Sequence, residues 1–202
     1  MKLNLPTKIT LLRILMIPIF VAVFYIETIP YRMAIAALIF VLAAATDALD
    51  GYLARSRNLV TNLGKFLDPI ADKVLVSTAM ILLLTEQESF FGVFGEMEIA
   101  VYIFVAVCIC LIMARELIIS AFRQIAATAG VVMAADKLGK FKTIFQDISI
   151  VAFLVGAAFY TTTFGAIVLS IALGLFVVAT ILTVWSGISY VVNNSVVLKD
   201  AN

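Results

Sequence analysis

The chain has 202 residues, of which 64% are hydrophobic and 13% charged, with a formal net charge of +1. Soluble domains carry about 25% charged residues, so a water-solvated globular domain is excluded and lipid is the expected solvent. The chain has no histidine, which excludes His general bases, Ser-His triads and most zinc sites and leaves carboxylates for any acid–base or metal chemistry.

In chain order, Met1–Lys8 sets Leu3 and Leu5 beside Lys2 and Lys8, a pattern suited to a segment lying on a membrane surface. A spanning helix needs about 20 mostly apolar residues. Six such segments are predicted, at Ile9–Ile26, Tyr31–Ala48, Ile70–Leu84, Ile99–Ile119, Phe145–Tyr160 and Phe164–Val192. All are read as helices, because lipid leaves open backbone groups unsatisfied. The first lacks a small-residue cleavage site and is read as a span rather than a signal peptide. Between the third and fourth lies an acidic connection, 85–98, broken by Gly92 and Gly95. The fourth carries Cys108 and Cys110 at i, i+2, on different helix faces, where they are expected as buried inert thiols. Between the fourth and fifth runs a basic connection, 120–143. The whole chain, 1–202, reads as a single all-α integral membrane domain.

The cations set the orientation. Lys2, Lys8 and Arg13 open the chain, Arg55, Arg57, Lys65 and Lys73 surround the second connection, and Arg115, Arg123, Lys137, Lys140 and Lys142 surround the fourth. The opposite side holds only Arg32, with Glu27, Glu86, Glu88, Glu96 and Glu98. Positive charge concentrates on the cytoplasmic side, so both termini and the 49–69 and 120–143 connections are predicted there.

Asp47, Asp50, Asp68 and Asp72 dominate the chemistry. Asp47 follows the unbroken apolar run Met33–Thr46, at the membrane boundary. Asp47 and Asp50 are i, i+3 and Asp68 and Asp72 are i, i+4, so each pair shares a helix face. Pro69 suits a first helical turn, which predicts Asp68 as a cap residue. Helix-end carboxylates facing water would account for one such residue. Four within 26 residues repel one another in a partly dry site and call for cations. Arg55 and Lys73 lie nearby, and oxygen donors without histidine or thiolate suit hard ions such as Mg²⁺ or Mn²⁺. Acids within a membrane mark functional sites. Gly51 and Ala54 remove bulk next to Asp50, where a flat base or ribose can approach the backbone, Gly64 permits close approach at the start of the third span, and Arg55 offers a planar fork to a phosphate.

The pattern Asp47-x2-Asp50-Gly51-x2-Ala54-Arg55-x8-Gly64-x3-Asp68-x3-Asp72 resembles the signature of the CDP-alcohol phosphotransferases, matching at all eight positions. The resemblance implies a six-helix fold, a homodimer and a polar cavity open to the cytoplasm. It implies two divalent cations, Mg²⁺ or Mn²⁺, on Asp47, Asp50, Asp68 and Asp72, with Asp72 as general base. It also implies contacts from Gly51, Arg55 and Thr61 to the CDP moiety, with Ala54 and Gly64 on the same side. Thr7, Thr10 and Arg13 match the family's N-terminal donor-binding region.

Farther on, the run from Ala114 through Arg115, Glu116 and Ser120 to Arg123 carries the fourth span into the basic connection. A cation after so long an apolar run is costly unless it is paired, and Glu116 is expected to pair with a neighbouring helix. Positive-inside anchoring accounts for part of this charge. The excess, Arg115, Arg123, Lys140 and Lys142, suits the dianion of a phosphate-bearing acceptor. Gly139-Lys140-Phe141-Lys142-Thr143 with Gln146, and Trp185-Ser186-Gly187-x2-Tyr190, are similar to family members whose acceptor is glycerol 3-phosphate. Trp185 and Tyr190 also suit interfacial aromatic anchors.

The expectation is therefore transfer of a phosphatidyl group from CDP-diacylglycerol to sn-glycerol 3-phosphate, giving phosphatidylglycerophosphate and CMP, in a bacterial plasma (inner) membrane and with no nucleic-acid partner. Serine, inositol phosphate or phosphatidylglycerol as acceptor is the nearest rival. A cation transporter is disfavoured because the acids cluster at one boundary and the other helix centres lack them, and a structural scaffold leaves the aspartates unexplained.

Overall fold

The computed structural model describes residues 4–56, 61–128 and 137–194, and within them every side chain except those at 48, 50–56, 62, 65, 127–128 and 137–140. Among these residues six long helices make the body: α1 (Leu5–Tyr25), α2 (Arg32–Ser56), α3 (Asn62–Leu83), α5 (Glu98–Thr128), α6 (Lys137–Ala158) and α7 (Thr163–Asn193). A short helix, α4 (Gln87–Phe91), and a 3₁₀ segment (Gly92–Met97) fill the connection before α5. There is no strand among the described residues. Among the described residues, four helical stretches are long and apolar enough to cross a membrane: Leu5–Tyr25, Gln87–Ala126, Phe141–Ala158 and Thr163–Asn193.

The elements depart from expectation at their ends. Helix α1 starts ahead of Ile9, because Pro6 sits in the first turn, where its missing N–H removes no helical bond. Thr7 and Thr10 thereby join the same helix as Arg13. Helix α2 continues past Ala48 to Ser56, and α5 past Ile119 to Thr128, so both charged connections begin as helix. The acidic 85–98 stretch, expected as loop, is largely helical turns. Of the two thiols expected buried, Cys108 is and Cys110 is exposed, because i, i+2 positions cannot both face the core.

The larger correction concerns α3. Its N-cap is Thr61, whose hydroxyl accepts the Gly64 N–H at 3.1 Å. Asp68 is therefore no cap residue but stands inside the helix with Pro69. The predicted span at Ile70 began too late because charge and proline interrupt the apolar run, while the cap Thr61 fits the helix-start rule. Thr61→Ala is expected to destabilise the protein by about 1 kcal/mol, read as a lower thermal midpoint in detergent.

Each inward stripe changes character along its length. On α1 the buried face runs Thr7, Thr10, Arg13, then Ile17, Phe20 and Phe24. On α6 it runs Lys142, Gln146 and Ser149, then Ile150, Phe153 and Ala157. On α7 the order is reversed, from Leu169, Ala172 and Phe176 to Thr180, Thr183, Ser186 and Tyr190. The 3.6-residue period keeps each set on one face. The apolar two-thirds close into one core, in which Phe153 meets Phe90, Phe91 and Phe176 edge-on with ring centres 6.0–6.3 Å apart. Helix α4 supplies Phe90 and Phe91 and so plugs that end of the bundle. Near it Arg32 pairs with Glu86 at 2.7 Å and donates to the Phe24 carbonyl. The polar thirds meet at the opposite end, and every candidate site residue with a described side chain belongs there.

Candidate active site

Two groups of side chains share the polar end. The first joins α1, α2 and α3. Arg13 is fully buried, and its Nη1 donates to Asp47 Oδ1 at 2.7 Å while its Nε donates to Thr46 Oγ1 at 3.0 Å. The Asp47 side chain is 48% exposed, so the pair has one dry and one wet member. Thr10 Oγ1 donates to Asp68 Oδ1 at 2.7 Å. The Thr7 and Thr61 hydroxyls share a hydrogen bond of 3.0 Å. A Cβ at Gly64 would lie 3.2 Å from Thr61 Oγ1 and 3.6 Å from Thr7 Oγ1, so glycine leaves those hydroxyls their place. Helix α1 therefore lies along α2 and α3 with a donor facing Asp47 and Asp68.

The second group lines a cavity of about 300 Å³ between α3, α5, α6 and α7. Its wall carries Lys73, Arg115, Arg123 and Lys142 against Asp72 and Glu116, an excess of two positive charges. Glu116 binds Lys142 across to α6 and also meets Arg115 Nη1 at 3.2 Å. Arg115 Nη2 donates to Ser186 Oγ at 3.0 Å. Arg123 Nε donates to the Tyr190 hydroxyl at 3.3 Å, and its guanidinium carbon stands 5.4 Å from that ring's centre, a cation–π contact. Lys73 donates to Ser120. The expected partner for Glu116 on a neighbouring helix is thus Lys142.

Asp72 connects the two groups. It lines the cavity and lies within electrostatic range of Asp47, Arg13, Glu116 and Lys73. One turn of α3 separates it from Asp68, so cap, proline and helix period together aim both carboxylates from one element.

In donor chemistry these residues fit a hard divalent cation. Asp47, Asp68 and Asp72 offer only oxygen, and Arg13 and Thr10 engage one oxygen each of Asp47 and Asp68. Asp147 adds to the acidic surplus: it lies within electrostatic range of Asp72 and Asp47, and its Oδ1 is buried without a hydrogen-bond partner among the described residues. No cluster of three or more potential ligands close enough to hold an ion occurs among the described residues. The side chain of Asp50 lies outside them.

The cavity brings together Asp72, Arg115, Arg123 and Lys142, and α1 brings Thr7, Thr10 and Arg13 to Thr61, Gly64, Asp47 and Asp68. Gly51, Ala54 and Arg55 fall on the helical backbone of α2, and Lys140 on that of α6, but these positions lie outside the described side chains. Of the two late aromatics, Trp185 is 67% exposed, as an anchor would be, whereas Tyr190 is buried at the cavity. Sequence reasoning passed over Thr46, Ser77 and Asp147. It named Arg55 and Lys73 as nearby cations; Lys73 lies within electrostatic range of Asp72, and the ion pair on Asp47 comes from Arg13 of α1.

The model of the CDP-alcohol phosphatidyltransferases matches residues 3–192. The chain belongs to this family. It is 38% identical to a CDP-diacylglycerol–glycerol-3-phosphate 3-phosphatidyltransferase of Bacillus subtilis (strain 168), with 98% of this chain and 99% of that one covered. A protein of the same name from Escherichia coli (strain K12) is also 38% identical, with 94% of each chain covered. So is one from Salmonella paratyphi A, again over 94% of each. For a CDP-alcohol phosphatidyltransferase, the junction of an aspartate group with a cation-lined cavity is where the chemistry has to be sought.

Proposed function

We propose that this CDP-alcohol phosphatidyltransferase moves a phosphatidyl group from CDP-diacylglycerol to sn-glycerol 3-phosphate, releasing CMP and forming phosphatidylglycerophosphate. The single observation that carries the reading is Asp72: one turn from Asp68 on α3 and within electrostatic range of Asp47, it also lines a cavity with excess positive charge. That cavity is too small for a diacyl lipid and suits a small phosphorylated alcohol. Four cations favour a phosphate dianion over serine, which brings none.

In this reading residues 1–202 form one membrane domain of six spans, α2 and α3 included, with both termini and the cavity on the cytoplasmic side of the plasma membrane. The charged ends of α2 and α3 lower their apolar character because they line the site. Assembly as a homodimer belongs to the same reading.

Asp47, Asp50, Asp68 and Asp72 would hold two divalent cations, Mg²⁺ or Mn²⁺, which would supply neutralisation of charge at the pyrophosphate and on the departing CMP. Thr7, Thr10, Arg13, Gly51, Ala54, Arg55, Thr61 and Gly64 form the donor side and orient the nucleotide while the acyl chains stay in lipid. Arg115, Arg123, Lys140 and Lys142 hold the acceptor phosphate. Asp72 accepts the proton from the C1 hydroxyl of the acceptor. The oxygen so freed attacks the phosphorus that bears diacylglycerol, and the bond from that phosphorus to the CMP oxygen breaks. Positioning and charge stabilisation supply most of the rate.

The test is CMP release by the purified protein from labelled CDP-diacylglycerol, with each acceptor in turn. Glycerol 3-phosphate is expected to give product, the reaction to stop with chelator, and Mg²⁺ or Mn²⁺ to restore it. Product from serine, inositol phosphate or phosphatidylglycerol but none from glycerol 3-phosphate would overturn the acceptor. Undiminished turnover in excess chelator would overturn the cations.

A further inference from the structure

Two arginines of α5 face the cavity, and in each case α7 supplies contacts that hold the side chain, beside the Glu116 contact that Arg115 makes within α5. Arg115 crosses α7 over Gly187: a Cβ there would stand 2.7 Å from Arg115 Cγ and 3.3 Å from its Nε, distances that no real Cβ keeps at the first atom. The neighbouring Ser186, fully buried, takes Arg115 Nη2 at 3.0 Å. One turn on, the buried Tyr190 takes Arg123 Nε at 3.3 Å and lies beneath its guanidinium. Tyr190 is itself held edge-on by Phe122, with ring centres 6.1 Å apart.

The three residues follow one logic. A long arginine side chain has considerable rotamer freedom, and fixing it on a neighbour ahead of binding removes that cost from the binding step. Gly187 supplies a slot for the stem and Ser186 an acceptor for the head, while Tyr190 supplies both an acceptor and a face. Ser186 and Tyr190 are i, i+4 and so lie on one side of α7. The polar end of the α7 stripe has this use, which membrane anchoring by aromatic residues does not explain.

We infer that Ser186, Gly187 and Tyr190 are positioning residues of α7 that hold Arg115 and Arg123 in the geometry that receives the phosphate of the acceptor. The inference rests on the acceptor reading above for the identity of the ligand, and on the contacts alone for the orientation. None of the three is a catalytic residue, since each acts through an arginine.

The experiment compares wild type, Gly187→Ala, Ser186→Ala and Tyr190→Phe as full-length protein in detergent, reading steady-state kinetics with both substrates and equilibrium binding of inorganic phosphate. Gly187→Ala is expected to raise the KM for glycerol 3-phosphate and weaken phosphate binding by about tenfold, as a displaced stem moves its guanidinium by a good part of an ångström. Ser186→Ala and Tyr190→Phe are expected to do so roughly threefold. The kcat and the KM for CDP-diacylglycerol stay within about twofold of wild type, because the donor groups lie on α1, α2 and α3. In an Arg115→Ala background, Gly187→Ala and Ser186→Ala are expected to add nothing.

The inference is overturned if Gly187→Ala keeps wild-type acceptor KM and phosphate affinity, or if its effect persists unchanged without Arg115. A shift of kcat and donor KM together with acceptor KM also overturns it, since that marks general damage. Should Gly187→Ala fail to fold, Ser186→Ala, which removes one oxygen, decides alone by the same criteria. If wild type turns over another alcohol in place of glycerol 3-phosphate, the acceptor reading fails while the phosphate-binding arm still judges the positioning. Wild-type protein without affinity for phosphate overturns both.

Discussion

Asp72→Asn is expected to lower kcat by about 10³-fold, with the KM for either substrate changed little and the fold intact. The substitution keeps shape and removes the ability to accept a proton; with Mg²⁺ or Mn²⁺ saturating, so that a weaker hold on the cations is made good, the loss is placed in the chemical step. A second readout separates this from general damage. Asp72 is largely buried and lies within range of the negative charges of Asp47 and Glu116 as well as the positive charges of Arg13 and Lys73; burial weighs most, so the neutral amide relieves more than it loses. The variant in chelator is therefore expected to be at least as stable as wild type, an exchange of stability against activity common at active sites. Near-normal turnover would remove Asp72 from the base role. Lost turnover together with a lower thermal midpoint in chelator would point to a structural role instead.

The second large effect concerns the Arg13–Asp47 pair, whose partners are unequally buried. Removing Asp47 takes from a fully buried guanidinium the carboxylate that meets it at 2.7 Å, and weakening the compensation of a buried charge is strongly destabilising. Removing Arg13 leaves a carboxylate that is half in water already. In chelator, Asp47→Ala is thus expected to cost about 3 kcal/mol, and Arg13→Met less, about 1 kcal/mol, through imperfect packing and the loss of a positive charge among the aspartates. Thermal or denaturant melts in detergent measure both. Equal losses would mean that Asp47 is drier than its exposure indicates. Both variants are expected to lose turnover as well, since each residue sits on the donor side of the proposed site.

The arginine on Asp47 also bears on how the aspartate group tolerates its own charge. Hydrogen bonds from Arg13 and Thr10 give Asp47 and Asp68 partners from α1, so the first helix is part of the acidic site. The local pattern of α1 reads as an apolar span opened by a few polar residues, and nothing in it names those partners. Only the packing of α1 along α2 and α3 does.

The reach of sequence reading follows from the range of the physics. Solvent class, helix type and the pairing of Asp68 with Asp72 on one face are set by composition and by the 3.6-residue period, which act within a few turns. The family and the aspartate pattern were legible for the same reason, since their spacing is local. The start of α3 was misplaced because apolar runs were weighted over a cap, and a single threonine outranked both the charges and Pro69.

Contacts between helices distant in sequence are another matter. That Glu116 meets Lys142, that Arg115 lies on Gly187 and that Asp72 stands at the joint of two groups depends on how helices cross and how far each slides along its neighbour. The sequence by itself determined an all-helical chain suited to lipid, with acids and cations gathered toward one end. The tertiary structure alone decided which cation meets which acid, because side-chain pairing across helices is fixed by packing, and packing depends on every facing residue at once.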